Sequence, residues 1–140
     1  MAEYATPTNV SNPMLDPVVF WRVGAFALGA IAVVGMVWSA VAGPGAGIGG
    51  VLRFDWSHNI AHLLLAGVAV LFGFANLPGN AVRVAALTVG GVYGILGAAG
   101  FLDASAFLPE AMHLHLEPAE NVLHLLLGAW GLVTGIVARY

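Results

Sequence analysis

Two stretches carry most of the residues that could do chemistry. In DWSHNIAHLLLAG (Asp55 to Gly67) and EPAENVLHLLLGA (Glu117 to Ala129), an acid, an asparagine, a histidine and a leucine triplet coincide at a constant spacing. Neutral imidazole is the commonest protein ligand for metal ions. One helical turn before the repeated histidines, His62 and His124, stand His58 and Glu120 on the same helical faces. Together they form a His₃Glu set suited to Zn, Cu or Fe. His62 and His124 alone are candidates for a b-type haem between two helices, with Asn59 and Asn121 as further contacts to a bound group. A third pair, His113 and His115, lies between Pro109 and Pro118 and reads as loop or interfacial residues, with copper or zinc capture as the rarer use.

The elements that must position these groups are apolar. Of 140 residues, 60% are hydrophobic and 8% are charged, against about 25% charged in soluble domains. A bilayer core of roughly 30 Å needs about 20 apolar residues per helix. Residues 18–42, 55–75, 81–102 and 117–140 meet or approach that length, without the alternation of a strand. Backbone groups in lipid must be satisfied within the segment, which favours helices. The expected fold is an all-α bundle of four transmembrane helices over residues 18–140. Residues 1–17, acidic and punctuated by proline, lack the basic start of a targeting peptide and read as an N-terminal tail.

The first segments of the two halves also agree. WRVGAFALG from Trp21 and VRVAALTVG from Val82 share the arginine, the valine after it and a later glycine. This pattern describes two tandem hairpins, a parallel repeat with a pseudo-two-fold axis along the membrane normal and with His62 and His124 at equal depth. Pro118, with Glu117 before it and Glu120 in the capping-box position, starts the last helix at 117. Asp55 starts the second by the same logic. Asn59 and Asn121 then lie inside their helices. The competing reading makes those asparagines the N-caps and leaves the histidines near the headgroups.

Charge sets orientation and excludes partners. The basic residues are Arg22, Arg53, Arg83 and Arg139, and the net charge is −3, which offers nothing to a nucleic acid. Three of the four arginines fall on the side of the termini, so both ends are expected in the cytoplasm and the protein in the cell membrane. All five histidines and five of the seven acids collect in or just after the two loops of the other side. Cysteine is absent, which removes thiolate ligands and covalent haem attachment. No nucleotide-binding fingerprint or nucleophile with its base stands out, so catalysis is not expected.

Helix 3 carries Gly90, Gly91, Gly94, Gly97 and Gly100. Such small residues let helices approach closely, within the chain or in a homo-oligomer, and the same smooth face could take a carotenoid or quinone. Trp21, Trp56 and Tyr140 fall near predicted interfaces, as membrane anchors do. The phrases NIAHLLLAG and NVLHLLLGAWGL, within residues 18–140, resemble a family of small prokaryotic four-helix membrane proteins known as domain of unknown function 4383. That resemblance implies topology and membrane location and supplies no mechanism. His58, His113 and His115 go beyond a simple Asn/His pair.

The role expected from these features is structural or in assembly, the Asn/His pairs fastening the bundle at its outer end. Metal-ion or b-type haem binding through His62 and His124 is the main alternative. A small channel or proton relay is a third, but no ionisable residue lies deeper than the histidines to continue a path.

Overall fold

The computed structural model describes residues 7–48, 52–102 and 117–140. His113 and His115 therefore lie outside the described residues. The described residues form helices joined by short connections, with one two-residue strand pair. A 3-10 turn at Pro13–Leu15 leads into α1 (Pro17–Ala42), followed by β1 (Gly47–Ile48) and β2 (Leu52–Arg53). Then come α2 (Trp56–Phe74), α3 (Gly79–Phe101) and α4 (Pro118–Val137). All four helices are long and apolar enough to cross a membrane.

The starts are set by capping chemistry. Asp16 accepts the Val18 amide at 2.8 Å with Pro17 in the first turn, and Asp55 accepts the His58 amide at 2.8 Å. Glu117 and Glu120 form a capping box, in which the Glu117 amide donates to Glu120 Oε2 at 2.9 Å. Asn59 and Asn121 are thus intrahelical, not caps. Helix 3 begins at Gly79, two residues before the expected start, because the Pro78 carbonyl already accepts the Ala81 and Val82 amides. Helix 4 stops at Val137, not at 140, because the N-terminal segment takes over there. Asn9 Nδ2 donates to the Val137 carbonyl at 2.7 Å, and the Arg139 amide donates to Asn9 Oδ1 at 2.9 Å.

Helix α1 packs along α2 and α3 along α4, while α1 also touches α3 and α4. The outside is greasy on every helix: Phe26 is 73% exposed, Leu64 67%, Ile95 70% and Ile136 66%. Inside, Phe20, Trp21, Ala25, Ala69, Val82 and Ala86 form the core. Trp21 is therefore a core residue and not an interfacial anchor. Its Nε1 donates to the Val82 carbonyl at 3.2 Å, which satisfies the polar edge of the indole internally.

At the ends of α2 and α4, arginines from the partner helices take up free carbonyls. Arg22 Nε donates to Gly73 O at 2.8 Å and Arg83 Nε to Gly135 O at 2.6 Å. A cation is favoured at the negative end of a helix. Glycines bring α3 onto α4. A methyl added at Gly90 would lie 2.6 Å from the Leu132 amide nitrogen, and one at Gly97 would lie 2.8 Å from the Asn121 carbonyl oxygen. The glycine face of α3 is thus largely used inside the chain. At Gly91 and Gly94 an added methyl meets nothing within 4 Å.

Candidate functional site

Starting α2 at Asp55 puts His58 in its first turn and His62 one turn further along the same face. The two rings lie 4.4 Å apart, tilted by 38°. The capping box does the same for α4 and buries His124 against α3, where Tyr93 meets the imidazole edge-on with ring centroids 5.0 Å apart. The result is a convergence across the two hairpins. Ring nitrogens of His58, His62 and His124 all lie within 4.8 Å of one another.

Metal-bound imidazole nitrogens sit about 2.0–2.1 Å from zinc, so tetrahedral neighbours are roughly 3.4 Å apart. The present spacing exceeds that by about 1.4 Å at most. The Nδ1 atoms of His62 and His124 are buried with no hydrogen-bond partner among the described residues. Buried polar atoms are normally paired, so each such exception calls for an explanation. A coordinated cation is one way to satisfy an imidazole nitrogen.

Glu120 does not join this group. Its carboxylate accepts the Glu117 amide and, at 3.3 Å, the Arg53 amide of β2. These bonds turn its carboxylate to the helix start and to β2, and Glu120 lies outside the histidine group. Asn59 and Asn121 also turn to helix packing. Asn59 Nδ2 donates to Ser39 Oγ at 3.0 Å, and that hydroxyl donates to the Phe54 carbonyl at 3.3 Å. Asn121 is buried beside Gly100, where an added methyl would overlap its amide. Asp55, just outside α2, accepts the Ser57 hydroxyl at 2.5 Å as well as the His58 amide. Burial opposes its ionisation, but these bonds and the neighbouring His58 hold its carboxyl below the ordinary aspartate range.

No protein-family model, curated protein or solved structure matches the chain. The site must be read from its own geometry.

The three imidazoles border a cavity of about 320 Å³ between α2 and the second hairpin, closed in part by Leu65, Val89, Leu96 and Tyr93. It exists because α2 packs on α1 and stands off from α3 and α4. Sequence reasoning had not singled out Tyr93. The available signal was its spacing from Gly90 and Gly97, one turn to either side on the face that packs on α4.

Proposed function

We propose that this is a small multi-pass membrane protein that holds a first-row transition-metal ion between its two hairpins, with His58, His62 and His124 as ligands. The observation that carries the reading is the meeting of three imidazoles from α2 and α4 within 4.8 Å. Nitrogen-only donors suit Zn, Cu, Ni or Fe and disfavour Mg or Ca. A third imidazole within the same 4.8 Å favours a small ion over a haem, whose macrocycle would have to lie between two of them. A proton relay finds little support, since beyond the rings, Ser57 and Tyr93 the cavity wall is aliphatic.

The apolar exterior of all four helices supports the bilayer as surroundings. We place both ends in the cytoplasm on the arginine distribution, and the histidines near the opposite surface. Descent of the halves from one duplicated hairpin is supported by the repeated phrase and the matched arginine-to-carbonyl bonds. Membership of the family called domain of unknown function 4383 rests on the two quoted phrases alone.

The second reading is fastening and assembly. It is favoured by the Asn59–Ser39 bond, which ties α2 to α1. Metal analysis of the purified full chain, after incubation with zinc, copper or cobalt and removal of excess, separates the two readings. About one ion per chain, lost when His62→Ala and His124→Ala are combined, is the expected result for a three-histidine site. No retained ion in the wild-type chain, or an ion indifferent to both substitutions, leaves the fastening role.

A further inference from the structure

We propose that the ion held by His58, His62 and His124 keeps one coordination position turned to the cavity, where it takes a small ligand with one donor atom and an apolar body. This rests on the metal reading above. Metal centres with three protein ligands characteristically leave a fourth position to water or a substrate, whereas structural sites fill all four from the protein. Among the described residues no fourth histidine or carboxylate belongs to the cluster. Glu120 is held by the Glu117 and Arg53 amides, and Asp55 by Ser57 and the His58 amide.

The space beside the rings describes what could fill that position. Its volume of about 320 Å³ is at the small end of ligand pockets, and equals roughly ten water volumes at about 30 Å³ each. Ala61, Leu65, Val89, Val92 and Leu96 offer water no hydrogen bond, so an apolar body is the better occupant. Ala61 of α2 and Val92 of α3 line the cavity and are both exposed, so it opens at the bundle surface between these helices. Entry is therefore lateral, from the apolar surroundings.

The test uses the full chain loaded with cobalt(II), whose visible bands report coordination, titrated with 1-butylimidazole and with imidazole in the same detergent. Both probes present the same donor. The expected result is binding of 1-butylimidazole at least tenfold tighter than imidazole. Val92→Phe and, separately, Ala61→Phe should abolish that preference while the chain still retains about one cobalt. Both substitutions are on the exposed side, so one is expected to fold even if the other does not. Equal binding of the two probes, or a preference that survives the phenylalanines, overturns the proposal. A cobalt spectrum that neither probe alters overturns the open position and leaves the metal reading standing. Failure to retain cobalt removes both.

Discussion

The two hairpins reach the same outline by different packing. In the first, Gly29 faces Ala66, and a methyl built on the glycine would touch the Ala66 Cβ at 4.0 Å, an ordinary contact. In the second, the counterpart Gly90 faces Gly128 and Gly131, and the same methyl would run into backbone 2.6 Å away. The first pair is spaced by side chains and the second by main chain. The polar positions share one contact and differ in another. Asn59 packs on Gly35 of α1 and Asn121 on Gly100 of α3, each with its Oδ1 buried and without a partner among the described residues, but Asn59 also donates its Nδ2 to Ser39. The repeated phrase therefore serves a close-packed contact in both halves, with a hydrogen bond to Ser39 added in the first.

The sharpest way to break this contrast is one substitution at both counterpart glycines. Gly90→Ala should destabilise the fold by about 2–3 kcal/mol, because backbone cannot move aside as a flexible side chain can. Gly29→Ala should be neutral or stabilising by up to about 1 kcal/mol, since alanine is the better helix former. Unfolding in mixed detergent micelles measures both, and equal effects would show that the hairpins are packed alike.

Next in size are the arginines, where the halves should agree. Removing the guanidinium in Arg22→Leu or Arg83→Leu should cost about 2 kcal/mol each, the range for hydrogen bonds from charged groups. Because the two sites share no partner, their costs should add in the double variant. A large inequality would mean that the matched bonds do different work. The smallest effect concerns the asparagines. Ser39→Ala and Asn59→Ala should each cost about 1 kcal/mol and be strongly non-additive, as partners in one buried bond. Asn121→Ala should be close to neutral by the same assay.

Much of this was legible in the sequence because it depends on local rules. Runs of apolar residues mark all four helices, and Asp55 and the Glu117/Glu120 box place their starts within a residue, which puts His58, His62 and His124 on inward faces. Glu120 stands apart from the three histidines for a local reason: its carboxylate is turned to the Glu117 and Arg53 amides. Trp21 misled because an aromatic near the start of an apolar helix has the same sequence signature at an interface and in a core. Only the carbonyl of Val82, far along the chain, decides between them. The cavity was illegible for a similar reason, since it follows from α2 preferring α1 over α3, a choice no single helix encodes.

The bonds of Thr8 and Asn9 to the far end of the chain carry one more consequence. The Thr8 amide donates to the Arg139 carbonyl at 3.0 Å, so the path from residue 8 to residue 139 is nearly a closed ring. Cutting it between Leu77 and Pro78 and splicing 139 to 8 would deliver the hairpins in reverse order while every interhelical contact kept its partners. Such a permuted chain is expected to fold to the same bundle, less the packing of Tyr140 on Gly79.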